Sequence, residues 1–244
     1  MTTLSGKTAL VTGASRGLGR ASARKLAQAG AQVLVHFSSG TEQAERVVAE
    51  IRKGGGRADS VGVDLAAAEG PHKLAKRTRE IIGDRLDILI ANAGVSKAAT
   101  IEDTTVEDFD RLFAVNVRAP FFLVQQLLPI LHEGSCIVLL SSLGARAAVG
   151  ALSAYSATKG AIDTLVNVLG ARGIRVNAVA PGVVETDMSN FTKTENGRNF
   201  ALGMQALKRI AQPDDIGGVV AFLASEEASW VTGDIIHVDG GSKL

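Results

Sequence analysis

The chain lacks most features of secreted, membrane-spanning or nucleic-acid-binding proteins. It has one cysteine in 244 residues, so no disulfide can form within the chain. Lys and Arg number 26 and Asp and Glu 25, so the net charge of +1 creates no strong field for nucleic acid or an anionic membrane surface. No apolar run reaches the roughly 20 residues that span a bilayer. We therefore expect no nucleic-acid partner and no membrane partner.

The first residues, MTTLSGK, lead directly into an apolar run and show no signal-peptide pattern. A cytoplasmic location is the expectation that follows. With 46% hydrophobic and 21% charged residues, the chain can bury one substantial core. Because no linker, repeat or low-complexity tract divides it, we expect one domain covering residues 1–244.

Short runs rich in Val, Ile and Leu alternate along the chain with segments of helix length. Several runs are apolar throughout, which is typical of strands covered by helices on both faces. The predicted strands cover residues 8–11, 32–37, 58–63, 86–90, 136–140, 174–180 and 235–238. The predicted helices cover residues 20–29, 42–53, 70–82, 106–131 (as two helices), 153–169 and 213–225. This order predicts an α/β Rossmann fold, a doubly wound, seven-stranded parallel sheet with helices on both faces.

Residues 183–205 do not fit this alternation. They are polar and weakly periodic, with scattered apolar side chains such as Met188, Phe191 and Phe200. Long segments of this kind are often lids over a substrate site, although a disordered surface loop is an equally common outcome. We interpret the segment as a substrate-binding lid.

A glycine-rich turn follows the first predicted strand and opens the first helix. Its sequence is Thr12-Gly13-Ala14-Ser15-Arg16-Gly17-Leu18-Gly19. Glycines let backbone N–H groups and the helix N-terminus approach a pyrophosphate closely. After the second strand, Ser38 and Ser39 stand where an acidic residue would select NAD, and Arg16 can pair with a 2′-phosphate. The pattern favours NADP(H), the alternative for Arg16 being a solvated loop residue.

Tyr155 is the only tyrosine of the chain, and Lys159 follows it at the i, i+4 spacing that places two side chains on one helix face. Carbonyl reduction needs a positioned proton donor, and a nearby ammonium lowers the pKa of a phenol. Such pairs also occur on exposed helices, where the lysine is merely solvated. The position of the pair in the fold therefore decides whether it is a functional site. Small or polar residues end four predicted strands, at the edge where parallel sheets bind ligands. They are Gly13, Asn92-Ala93-Gly94, Ser141-Ser142 and Pro181-Gly182.

Together these motifs resemble those of the short-chain dehydrogenase/reductase family over nearly the whole chain. The family patterns TGxxxGxG, NAG, a helix asparagine, and serine followed by YxxxK are matched at Thr12, Gly13, Gly17, Gly19, Asn92, Ala93, Gly94, Asn116, Ser142, Tyr155 and Lys159. The resemblance implies that Ser142 hydrogen-bonds the substrate oxygen and that Tyr155 transfers the proton. Lys159 would lower the tyrosine pKa and hold the nicotinamide ribose, and Asn116 would anchor a water-mediated proton relay.

The resemblance also implies further cofactor contacts. Asp64, after the third strand, would bind the adenine, although it has the alternative role of capping the following helix. Pro181, Gly182 and Thr186 would lie near the nicotinamide. The family implies a homotetramer or homodimer, but only 22 positions separate Lys159 from Pro181. We therefore expect the helix after Lys159 to be about one turn shorter than in the family, which puts the helix-mediated tetramer in doubt.

The implied activity is that of an NADP(H)-dependent oxidoreductase that interconverts a ketone or aldehyde and an alcohol, without a metal ion. The overall likeness includes 3-oxoacyl-carrier-protein reductases, where basic residues near the end of the long helix would receive an acidic carrier. This chain has His132-Glu133 there. We therefore prefer a carbonyl reductase of a small or medium free substrate, with the carrier-bound substrate as the alternative. A non-catalytic NADP-sensing regulator is a third interpretation, opposed by the presence of Tyr155 and Lys159.

Overall fold

The computed structural model describes residues 3–147, 151–169 and 173–242 as a central sheet between two layers of helices. The seven strands of the described chain are β1 (Thr8–Val11), β2 (Gln32–Phe37), β3 (Arg57–Gly62), β4 (Ile88–Ala91), β5 (Cys136–Leu140), β6 (Arg175–Pro181) and β7 (Ile235–Val238). Their order is β3-β2-β1-β4-β5-β6-β7, and every neighbouring pair is parallel. The predicted doubly wound, seven-stranded parallel sheet is confirmed.

Helices connect successive strands and cover both faces of the sheet. The α-helices of the described ranges are α1 (Gly17–Gln28), α2 (Thr41–Lys53), α3 (Gly70–Ile82), α4 (Val106–Phe113), α5 (Ala119–Leu127), α6 (Ser153–Leu169), α7 (Glu195–Met204) and α8 (Pro213–Leu223). Caps explain several starts: the Thr105 hydroxyl accepts the Asp108 N–H before α4, and Pro213 occupies the first turn of α8. The described part of α6 ends at Leu169, and the residues between it and Gly173 lie outside the described ranges.

The core has two layers because side chains alternate across the strands. In β1, Ala9 and Val11 face one layer and Leu10 faces the other. The first layer packs against α1, α2 and α8 through Leu26, Val47, Ile216 and Val220. The second packs against α3, α5 and α6 through Leu74, Leu123, Ile162 and Val166. Parallel strands buried on both faces leave their carboxyl ends together at one edge, which positions the site.

Three segments depart from the predicted elements. α1 begins at Gly17 instead of residue 20, so the helix starts within the glycine turn. The predicted helix pair at 106–131 is α4 and α5, joined by a π-helical turn at Ala114–Arg118. Residues 183–205 contain a 3₁₀ segment, Asp187–Lys193, followed by α7. In these ranges, the structure has no helix with both the length and the apolar character required to cross a bilayer.

Candidate active site

Asn92 holds the glycine turn against the end of β4. Its side-chain amide donates to the carbonyl oxygens of Thr12 (2.8 Å) and Gly13 (3.2 Å). The Thr12 hydroxyl in turn accepts the Ala93 N–H at 2.9 Å. A Cβ on Gly19 would lie 2.3 Å from the Gly13 carbonyl oxygen, so the backbone closes tightly here. The Asn-Ala-Gly segment thus acts as a brace for the turn, a specific contact that sequence spacing alone does not reveal.

His36 is a second brace of the same turn, and the sequence reasoning assigned it no role. It lies in β2 with 1% of its surface exposed. Its Nδ1 accepts the Gly13 N–H at 3.1 Å and its Nε2 lies 2.9 Å from the Val63 carbonyl oxygen. A neutral ring that donates through Nε2 satisfies both contacts. Burial accordingly lowers the pKa of His36 to about 4, against opposing contributions from Val63 and Asp64. The available signal was a polar residue within an otherwise apolar run.

The N-terminus of α1 has the properties of an anion site. No side chain caps it, and no acidic residue lies in its first turn. Unpaired N–H groups and the helix dipole both favour a phosphate at such a terminus. Arg16 is 74% exposed, with its Nε 4.0 Å from an Asp187 carboxylate oxygen. The glycine turn and the N-terminus of α1 therefore fit the pyrophosphate of a dinucleotide, with the long, exposed cationic side chain of Arg16 beside them.

Residues predicted to contact the rest of a dinucleotide surround this turn. Ser38 and Ser39 are exposed after β2, and the Ser38 hydroxyl lies 3.4 Å from Asp64 Oδ1. Asp64 also accepts the Ala66 N–H at 2.9 Å, whereas α3 begins only at Gly70, so Asp64 does not cap that helix. Thr186 faces the turn, since a Cβ on Gly17 would lie 3.7 Å from its methyl group.

Ser142, Tyr155 and Lys159 come together beyond the carboxyl ends of β5 and β6. Ser142 Oγ accepts the Gly144 N–H at 3.0 Å, which leaves its own proton free to donate. Lys159 Nζ lies 5.7 Å from the centroid of the Tyr155 ring, as the i, i+4 spacing predicts. The ammonium donates to the Leu140 carbonyl oxygen at 2.6 Å. One helix and one strand end thus supply a phenol, a hydroxyl and an amine to a common site.

Burial controls the protonation of this cluster. It raises the pKa of Tyr155, while a hydrogen bond from Ser142 acts in the opposite direction. This direction differs from the lowered pKa implied by the family resemblance, because desolvation of the phenolate dominates. Burial also lowers the pKa of Lys159 to about 8, opposed by the carboxylate of Asp163. At neutral pH the site therefore holds a protonated phenol, the form that can donate a proton.

Asn116 connects the loop after β4 to helix α6. It lies in the π-helical turn, and π-turns inside α-helices are frequent at functional sites. Its side-chain oxygen accepts the Val95 N–H, and its amide donates to the Val95 carbonyl, each at 2.9 Å. The same amide donates to the Thr158 hydroxyl at 3.1 Å, next to Lys159. The π-turn thus aims Asn116 at both the loop after β4 and helix α6.

The predicted site residues lie at one edge of the sheet, and one surface used in the sequence reasoning does not. Gly182, after β6, packs tightly on Asp239: a Cβ on Gly182 would lie 2.8 Å from the Cα of Asp239. His132, in contrast, contacts Asp87 at 3.1 Å, beside the amino ends of β4 and β5. Its identity therefore describes a surface at the opposite edge and carries no weight on how a carrier-bound substrate would reach Tyr155.

Residues 183–205, which follow β6, present apolar side chains to solvent. The exposed fractions are 55% for Met188, 46% for Phe191 and 59% for Phe200. At the rim, Arg146 pairs with Asp239 at 3.0 Å. In the described part of the chain, no three His, Cys, Asp or Glu side chains cluster as a metal site. The chemistry offered is proton donation beside an anion-binding turn.

Comparisons with known proteins agree with this geometry. A family model described as "Enoyl-(Acyl carrier protein) reductase" matches residues 13–243. Versicolorin reductase stcU of Emericella nidulans is 42% identical, covering 98% of this chain and 96% of its own. Tetrahydroxynaphthalene reductase of Pyricularia oryzae is 38% identical, covering 98% and 90%. The structure of the angucycline C-6 ketoreductase LanV with bound NADP superposes with a TM-score of 0.92 at 41% identity, covering 98% and 96%.

Proposed function

The chain belongs to the short-chain dehydrogenase/reductase family, and on this premise we propose that it is an NADP(H)-dependent reductase of carbonyl groups. The observation that carries the proposal is the meeting of Ser142, Tyr155 and Lys159 beside the braced glycine turn. Two relatives named as reductases and a structural neighbour named as a ketoreductase support a ketone substrate, and neither the carrier-protein nor the regulatory alternative is favoured. Residues 1–244 would form one domain, with 183–205 as its lid.

Each member of the cluster has a chemical task in this proposal. When bound, NADPH supplies the hydride that adds to the carbonyl carbon. Ser142, whose oxygen is already held by the Gly144 N–H, donates its proton to the substrate oxygen and orients it. Tyr155 is protonated at neutral pH and transfers that proton to the developing alkoxide. Lys159 stabilises the phenolate left behind, and Asn116 positions the helix that carries both.

The cofactor would bind across the carboxyl edge of β1, β2 and β4. Backbone N–H groups of Ser15, Gly17, Leu18 and Gly19 would hold the pyrophosphate. Gly13, whose own N–H is bonded to His36, would let the backbone approach the cofactor closely. Arg16, Ser38 and Ser39 would bind the 2′-phosphate, and Asp64 the adenine. On the nicotinamide side the binding residues would be Asn92, Ala93, Gly94, Tyr155, Lys159, Pro181, Gly182 and Thr186. The residues directly after β2 include no acidic side chain of the kind that binds the two ribose hydroxyls of NAD, which supports NADP(H) over NAD(H).

The substrate would be a ketone on a flat, aromatic and phenolic ring system. The relatives are named as a versicolorin reductase, a tetrahydroxynaphthalene reductase and an angucycline C-6 ketoreductase, and the name tetrahydroxynaphthalene itself describes a flat, phenolic ring system. In this chain, Met188, Phe191 and Phe200 would offer an apolar surface on the lid. Aromatic rings and methionine suit stacking on a planar substrate, while short aliphatic ketones would bury less area and bind more weakly.

The test measures NADPH oxidation with a panel of carbonyl substrates. The decrease in absorbance of the reduced nicotinamide reports the rate. The panel contains a hydroxylated naphthalenone, an aliphatic ketone, a 3-oxoester and an acetoacetyl thioester. We expect the highest kcat/KM with the phenolic ketone, and a loss on the order of 10²-fold or more in Tyr155→Phe. Arg16→Ala should raise KM for NADPH but not for NADH. Preference for NADH, or full activity in Tyr155→Phe, would contradict the proposal.

A homodimer or homotetramer in the cytoplasm completes the proposal. Exposed apolar side chains on separate elements support self-association: Phe109 on α4, Phe121 on α5, Phe222 on α8 and Trp230 before β7. Trp230 is 98% exposed, which is unusual for so large an apolar ring. The cytoplasmic location stays a prediction from the sequence.

A further inference from the structure

A part-buried polar pair, Ser141 and Asp163, joins the end of β5 to helix α6, the two elements that the Lys159 amine also connects. Ser141 is 4% exposed, and its hydroxyl donates to Asp163 Oδ1 at 2.5 Å. The two residues are 22 positions apart, so the bond joins the end of β5 to helix α6. Its short length is typical of a hydroxyl that donates to a charged carboxylate. Ser141 adjoins both Leu140, the acceptor for Lys159, and the proposed catalytic Ser142.

Asp163 follows Lys159 by four residues on α6, so the two side chains lie on one helix face. Lys159 is 5% exposed and donates to the neutral Leu140 carbonyl oxygen. The other groups near it are uncharged: the Tyr155 phenol on its own helix and the Gly94 backbone from the loop after β4. In the described chain, Asp163 is the carboxylate whose charge acts on Lys159.

A buried ammonium is costly unless an opposite charge is close, because burial favours the uncharged amine. A carbonyl oxygen orients the ammonium but carries only a partial charge. The full negative charge comes from Asp163, and Ser141 determines where that charge lies. Removal of Asp163 would therefore leave Lys159 buried with neutral partners, and the amine would lose its proton at lower pH.

We propose that the Ser141–Asp163 pair is a positioning device for the reaction, which holds the Lys159 side chain charged and directed between Leu140 and Tyr155. This inference rests on the proposed function for its catalytic meaning, because Lys159 would serve Tyr155 only as an ammonium. The pair itself touches no reacting atom. Asp163 is thus a specific requirement of this chain for activity at neutral and mildly alkaline pH.

The direct test is the titration of Lys159 in protein labelled with ¹³C at lysine Cε, with the resonance assigned through Lys159→Met. Asp163→Asn keeps the size of the side chain and an oxygen acceptor for Ser141 but removes the charge. We expect its midpoint for loss of the Lys159 proton to fall by about one pH unit or more. Asp163→Glu should restore most of the shift. Thr164→Asn, the next and exposed position on α6, is the matched control and should titrate as the unmodified protein does.

Activity provides a second readout. In Asp163→Asn, the alkaline limb of the kcat profile should move to lower pH by the same amount, about tenfold in rate per unit, with KM nearly constant. Ser141→Ala keeps the charge of Asp163 but removes the hydrogen bond that holds its carboxylate in place. We therefore expect the alkaline limb to move in the same direction by a smaller amount. Coincident Lys159 titrations in Asp163→Asn and the unmodified protein would overturn the inference, whereas absence of turnover in the unmodified protein would overturn only the proposed function.

Discussion

At the scale of single residues, the site depends on buried polar side chains with complementary partners. His36 is the clearest case, because both ring nitrogens are engaged and the bond that Nδ1 accepts from the Gly13 N–H requires the neutral ring. A protonated ring would turn Nδ1 from an acceptor into a donor facing the Gly13 N–H. The glycine turn therefore has its geometry tied to the protonation of one histidine.

We predict a loss of stability in acid that His36 causes. Its pKa is about 4 in the folded chain, against an ordinary value of 6.5, so the unfolded chain takes up the proton first as pH falls. The contribution to stability is complete above pH 6.5 and is lost between pH 6.5 and 4, by up to about 3 kcal/mol. Urea unfolding across this range measures it.

The variant that isolates this effect is His36→Asn, whose side-chain oxygen can still accept the Gly13 N–H. Its free energy of unfolding should fall less steeply between pH 6.5 and 4 than that of the unmodified protein. His237→Asn, at an exposed position in β7, serves as the control. If His36→Asn follows the unmodified protein in acid, another group is responsible for the acid dependence.

At the scale of elements, apolar runs predicted the strands well, whereas the π-turn and the helix in the mixed polar segment were not predicted. β1, β2, β5 and β7 have the predicted bounds, because each is a short Val-, Ile- or Leu-rich run beside turn residues. The π-turn at Ala114–Arg118 could not be predicted, since a single turn of five residues is too short to show a hydrophobic period of its own. Nor could α7, whose exposed surface mixes Phe200 with polar residues and so has weak periodicity.

The junction of β1 and α1 allows a steric prediction at this scale. A Cβ at Gly19 would lie 2.3 Å from the Gly13 oxygen and 2.5 Å from Asn92 Nδ2, so Gly19→Ala must displace the glycine turn. We expect Gly19→Ala to lower the free energy of unfolding by about 1–3 kcal/mol, measured by thermal unfolding. NADPH binding, measured by fluorescence titration, should be at least tenfold weaker.

Gly160→Ala is the matched control for this change. Gly160 is also a helical glycine, in α6, but a Cβ there would meet no atom within 4 Å. Alanine should therefore stabilise the helix by about 0.5–1 kcal/mol and preserve NADPH binding. Equal binding by Gly19→Ala and Gly160→Ala would show that the turn tolerates displacement.

At the scale of the whole molecule, the carboxyl edge of the sheet explains why the site was predictable. Gly13, Asn92, Ser142 and Gly182 follow four strands that are neighbours in the sheet, so their meeting follows from parallel order alone. The contacts within the site were less accessible, because His36 to Gly13 and Ser141 to Asp163 depend on the direction of side chains after packing. Sequence spacing gives the face of an element but not the partner across it.

Cys136 makes the opening of the whole molecule measurable. It lies in β5, 1% exposed, and burial raises the pKa of its thiol to about 11. Because the thiolate is the reactive form, an aromatic disulfide reagent should label the single thiol only when the sheet opens. NADPH binds the folded state, so at about 100 times Kd it should slow labelling roughly 100-fold. Cys136→Val provides the unlabelled baseline. Fast labelling that NADPH leaves unchanged would mean that β5 opens locally while the cofactor-binding edge of the sheet stays folded.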